Sequence, residues 1–117
     1  MSKDDFWGEP ISIYTSEQAT EDGFLFQLNL KANIPFSHVT TNLMYKCGYM
    51  EKDTQGEDHI NMTNMTDLLN QALEIMRKSK PDWFYSGKIE LPSGTTQKIF
   101  IVQNETGKYT IMLPEDY

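Results

Sequence analysis

Apolar residues recur at helical spacing most clearly between residues 65 and 79. Leu68, Leu69, Ala72, Leu73 and Met76 make one stripe there. Thr63 or Asn64 can cap the start. Arg77, Lys78 and Lys80 suit the negative end of the helix dipole, and Pro81 ends the run. Beyond Pro81 the period changes from about 3.6 residues to about 2. Residues 83–91, 97–103 and 108–113 are rich in aromatic and β-branched side chains. Pro92-Ser93-Gly94 and Asn104-Glu105-Thr106-Gly107 separate them as turns. This pattern predicts an antiparallel meander of three strands with the long helix on one face.

The earlier half is less regular. Residues 6–14 read as extended, because Pro10 excludes a helix interior and Ile11 and Ile13 alternate with Ser12 and Tyr14. Thr15-Ser16-Glu17-Gln18 has the spacing of a capping box, and Gly23 lies where a short helix would stop. Phe24 to Leu28 follows as a strand or an extended apolar segment. Pro35 and Ser37 predict a second helix, with Val39, Leu43 and Cys47 four apart, Met44 beside them and Gly48 near its end. Residues 51–59 are polar around Gly56 and read as a solvated loop. The expectation is an α+β fold. A short N-terminal extended segment and two to three helices precede a C-terminal three-stranded antiparallel meander packed on the long helix. At 117 residues there is room for one domain.

Composition adds that the chain folds: 38% of residues are hydrophobic and 23% charged, an ordinary globular mixture. Net charge is −7, unevenly spread. Residues 1–75 hold 12 acids against 4 lysines, and residues 76–117 hold 5 acids against 6 bases. Broad nucleic-acid binding needs a dense basic face. Arg77, Lys78, Lys80, Lys88 and Lys98 are the candidates for one, and a balance of +1 in that half argues against it. The acidic half suits a protein partner with a basic surface. The one cysteine, Cys47, excludes an intramolecular disulfide. The N-terminus lacks a secretory pattern, and Ile99-Phe100-Ile101-Val102 is far short of a membrane span, so a cytoplasmic protein without a membrane partner is expected.

The sequence carries no phosphate loop, dinucleotide fingerprint, nucleophile elbow or Cys-x-x-Cys pair. His38 and Cys47 would lie about 13 Å apart along one helix, too far to exchange a proton directly. The metal candidates are Asp53, Glu57, Asp58 and His59. In that loop glycine stands fourth, where a calcium-binding EF-hand loop needs it sixth, and no glutamate falls at the twelfth position. Partner-binding candidates are the acidic Glu9, Glu17, Glu21 and Asp22 with the aromatic Trp7, Trp83 and Tyr85. No cofactor is expected, and oligomeric state is left open.

Two end motifs carry a resemblance. Phe6-Trp7-Gly8-Glu9-Pro10-Ile11-Ser12-Ile13-Tyr14-Thr15, then Gln18-Ala19 and Glu21-Asp22-Gly23, is similar to the opening of a small family of unknown function from bacterial chromosomes, plasmids and phages. Ile34-Pro35-Phe36 through Thr41 resembles that family's second-helix entry, and Met65 to Met76 its long helix. Thr110-Ile111-Met112-Leu113-Pro114-Glu115-Asp116 resembles its ending. The stretch Gln103–Gly107 departs from the longer Gly/Pro/Asp-rich segment usual there. The resemblance implies a bacterial or mobile-element origin and supplies no catalytic residues. The expected function is a non-catalytic interaction or accessory factor, an anti-defence protein being its specific form. The alternative is a small metal-dependent hydrolase using residues 53–59.

Overall fold

The computed structural model describes residues 23–28 and 34–117. The extended segment at 6–14 and the helix capped at Thr15 lie outside them. Among the described residues the elements are β1 (Leu25–Gln27), β2 (Phe36–Thr40), α1 (Thr41–Lys46), β3 (Met50–Lys52), β4 (Asp58–Ile60), α2 (Met62–Arg77), β5 (Phe84–Glu90), β6 (Thr96–Gln103) and β7 (Tyr109–Met112). A 3-10 turn at Pro114–Asp116 follows.

The last three strands pair antiparallel. Tyr85 lies opposite Ile101, and Ile101 opposite Ile111. Gly94 and Gly107 close the two connections at φ of 93° and 86°, backbone angles that glycine adopts without a side-chain clash. The sheet does not stop there. β2 lies parallel to β7, and β1 antiparallel to β2, giving five strands in the order β1-β2-β7-β6-β5.

This overturns the expected helices-then-meander arrangement. Among the described residues the elements are mostly strands, a five-stranded mixed sheet plus a two-stranded one, with two helices of which only α2 is long. Residues 36–40, read as helix entry, are β2. The four-residue spacing of Val39, Leu43 and Cys47 arises from a strand and a short helix that meet at Thr40. Thr40 Oγ1 accepts the amide of Leu43 at 3.3 Å and caps α1. Residues 51–59, read as a loop, form the hairpin β3–β4, with Met50 opposite Ile60 and Lys52 opposite Asp58. The cap of α2 is Asn61, whose side chain accepts the amide of Asn64 at 3.0 Å, and not Thr63 or Asn64.

Both helices bury against one face of the large sheet. Leu43 and Met44 of α1 and Met65, Leu68 and Ala72 of α2 pack with Val39, Tyr85, Ile89, Ile99, Ile101 and Ile111. Each of these residues loses nearly all contact with water, worth roughly 1.5–3 kcal/mol for a large aliphatic side chain. The helix packs tightly on the sheet at Gly87, where an added Cβ would sit 2.7 Å from Ile75 Cδ1. Tyr49 is also fully buried, its hydroxyl has no hydrogen-bond partner among the described residues, and burial pushes its pKa up to about 12.

Two predictions follow from this packing. Gly87→Ala should destabilise the fold by about 1–3 kcal/mol through overpacking, and Ile75→Val in the same chain should recover part of the loss in denaturant midpoint. Tyr49→Phe removes a buried hydroxyl without opening a cavity. It should leave stability unchanged or raise it by about 1 kcal/mol in thermal unfolding.

Candidate functional site

Cross-strand partners share a face, so the register defines what the side opposite the helices presents. One row runs His38–Thr110–Val102–Phe84 across four strands. The next includes Met112, Phe100 and Ser86, and beyond it Lys98 faces Lys88. Neither described helix covers these rows.

The C-terminus crosses this face. Thr40 Oγ1 donates to Asp116 Oδ2 at 2.8 Å and Asn42 Nδ2 donates to Asp116 Oδ1 at 3.1 Å. Lys46 pairs with Glu115 at 3.1 Å. These bonds bring Tyr117 over the sheet, where its ring meets Phe84 and Phe100 edge-on at centroid distances of 5.3 and 5.7 Å. Phe84 and Phe100 lie 4.9 Å apart, and Trp83 meets Phe84 at 5.6 Å. Trp83 and Tyr117 remain 56% and 64% exposed. Lys98 Nζ lies 5.6 Å from the centre of the Phe100 ring.

Two tyrosines hold the turn that carries Trp83. Tyr85 accepts the amide of Asp82 at 2.9 Å, Tyr109 donates to the Asp82 carbonyl, and the two rings meet at 5.7 Å. Asp82 Oδ1 accepts the amide of Trp83 at 2.7 Å. The indole is therefore displayed from a fixed backbone.

A polar cluster lies on the same face. Asn104 Nδ2 donates to Ser37 Oγ at 2.8 Å and to Thr110 Oγ1 at 3.0 Å. The Ser37 hydroxyl in turn hydrogen-bonds His38 Nδ1, 2.7 Å away. His38 is 5% exposed, and burial pulls its pKa below the ordinary imidazole value, partly opposed by the charge of Glu105.

The sequence-predicted residues distribute as follows. Trp7, Glu9, Glu17, Glu21 and Asp22 lie outside the described residues. Trp83 joins the aromatic cluster, whereas Tyr85 turns inward as part of the core. The metal candidates go to separate partners in the hairpin. Asp53 Oδ1 accepts the amides of Gln55 and Glu57, Asp58 accepts from Lys52 and Tyr45, and His59 pairs with Glu51 at 3.2 Å. Those bonds hold Asp53 and Asp58 below the usual carboxylate range. Among the described residues no three His, Cys, Asp or Glu side chains converge on one point. Cys47 is buried, and burial pushes its thiol pKa up. No described helix is long and apolar enough to cross a membrane. Phe100 and Tyr117 are the residues that sequence reading missed. Phe100 sat in a predicted strand without a face, and Tyr117 follows the strand ends by four residues.

Comparison with protein-family models, with curated proteins and with solved structures finds no match.

The burial of His38 has a measurable consequence. Unfolding frees the imidazole to bind a proton near pH 6.5, so the unfolded chain gains protons that the folded chain refuses. Stability should be full above that value and fall as pH drops through it, by at most about 1.4 kcal/mol per unit, levelling once the folded pKa is passed. Denaturant midpoints at pH 7.5 and 5.5 should differ for the wild type and much less for His38→Gln.

Proposed function

We propose that the protein is a non-catalytic interaction domain that engages another protein through the aromatic cluster of Trp83, Phe84, Phe100 and Tyr117. One observation carries this reading: two large aromatic residues, each more than half exposed, are held in place by ring contacts and a bonded turn. Rigid, exposed aromatic groups lose little entropy on binding and supply most of the energy of many interfaces. The reading extends to an accessory role in a bacterial or mobile-element setting, as the end motifs suggest.

A second reading is favoured by the β3–β4 hairpin, where Glu51, Asp53, Glu57 and Asp58 are all exposed and Lys52 is the one lysine among them. With Asp53 and Asp58 held ionised, this edge would meet a basic partner, as an anti-defence protein offering charge complementarity would.

Affinity capture separates the two. Proteins retained by the wild-type chain should be lost tenfold or more with Trp83→Ala/Tyr117→Ala, given about 2 kcal/mol for a central aromatic contact. Equal retention by that variant, with loss on Asp53→Asn/Glu57→Gln and at high salt, would select the hairpin instead.

A further inference from the structure

The outer edge of β5 has a defined hydrogen-bonding pattern. Gln103 donates its amide to the Trp83 carbonyl at 2.8 Å, and Leu91 donates to Thr95 at 2.8 Å. Odd-numbered residues of β5 therefore turn their backbone groups toward β6. Even-numbered ones turn theirs outward, since peptide orientation alternates along a strand. Phe84, Ser86, Lys88 and Glu90 are the outward set.

Glu90 shows what this edge accepts. Its N–H donates to Gln71 Oε1 at 2.7 Å, and its carbonyl accepts from Gln71 Nε2 at 2.9 Å. The side-chain carboxamide of α2 thus bridges both groups as the amides of a neighbouring strand would. Phe84, Ser86 and Lys88 continue the same row. Among the described residues nothing hydrogen-bonds their outward amides or carbonyls.

Charge gives the edge a preference. Lys88 and Lys98 stand directly opposite each other, and neither makes an ion pair among the described residues. Like charges in that position repel. Glu90 lies one step beyond Lys88 on the same face, with Thr96 opposite it. At the other end stand the exposed Trp83 and Tyr117.

We infer that the free edge of β5 takes up an extended acidic segment of a partner protein as a sixth strand. Main-chain bonds form to Phe84, Ser86 and Lys88. A carboxylate of the incoming strand settles beside Lys88, where Lys98 across the strand adds to the positive charge, and an apolar side chain meets Trp83. This rests on the interaction reading above and adds to it the mode of binding and the chemistry of the partner. Alternating side chains of an added strand supply specificity while its backbone supplies affinity.

The test uses fluorescein-labelled heptapeptides and fluorescence anisotropy with the full chain. Thr-Val-Glu-Val-Glu-Val-Thr should bind, and the same peptide with lysine for glutamate should bind at least tenfold more weakly. N-methylation of alternate peptide amides should abolish binding, because it removes the main-chain donors. Ser86→Pro should do the same from the other side, since that N–H points away from β6. Lys88→Glu, which alters no backbone group, should reverse the charge preference and guards against a folding defect in the proline variant. Absence of acidic-peptide binding, or equal binding of the lysine or N-methylated peptide, would overturn the inference. It would then leave Lys88 and the Gln71 cap as protection of the edge against aggregation. Sedimentation showing a dimer that Ser86→Pro dissolves would place a second copy on the edge and overturn the acidic-strand assignment. If Trp83→Ala/Tyr117→Ala loses captured proteins while the peptide arm fails, the interaction reading stands without this one.

Discussion

Strand β2 lies parallel to β7, with His38 opposite Thr110 and Val39 opposite Ile111, and this junction joins the two halves of the chain. Parallel neighbours need a long crossover, here the whole of α1, the hairpin, α2 and two further strands. Thr40 and Asp116, 76 residues apart in sequence, hydrogen-bond across it. Asn104 ties Ser37 to Thr110 on the same side. Without this pairing α1 has no place, Leu43 and Met44 have no core to enter, and the C-terminus has no anchor over the sheet.

The interaction surface is a by-product of how the core is filled. Both helices occupy one face, so the aromatic side chains of the alternate positions in β5 and β6 collect on the other. Tyr85 and Tyr109 divide their roles along the ring axis. The rings serve the core, and the hydroxyls fix the Asp82 backbone that presents Trp83. Gln71 works at the far end of the same strand, tying α2 to the last outward amide of β5. The strand is thus tied at both ends, while among the described residues nothing bonds the outward backbone groups of Phe84, Ser86 and Lys88 between them.

Legibility differs by element for identifiable reasons. α2 was visible because its apolar period is long and undisturbed. The strands after Pro81 were visible because turn residues bracket them. β2 was not, since five residues adjoining a helix cap show no period of their own, and Val39, Leu43 and Cys47 mimic a helical stripe. The β3–β4 hairpin was hidden because its strands are three residues each with one apolar residue apiece, Met50 and Ile60, too few to show a period. For the site, Trp83 stands out in the sequence as an aromatic residue beside a turn. Tyr85, two residues on, has the same signal and differs only by facing the core.

Local pattern therefore determined the long helix, the three C-terminal strands, their turns and the acid-rich first half, because each depends on residues close in sequence. Tertiary structure alone decided that β2 enters the sheet beside β7, that the C-terminus folds across the open face, and that Phe84, Phe100 and Tyr117 meet Trp83. Those choices depend on contacts between residues far apart in the chain. The loop entropy they cost is recovered only when the strands, the helices and the shared core form together.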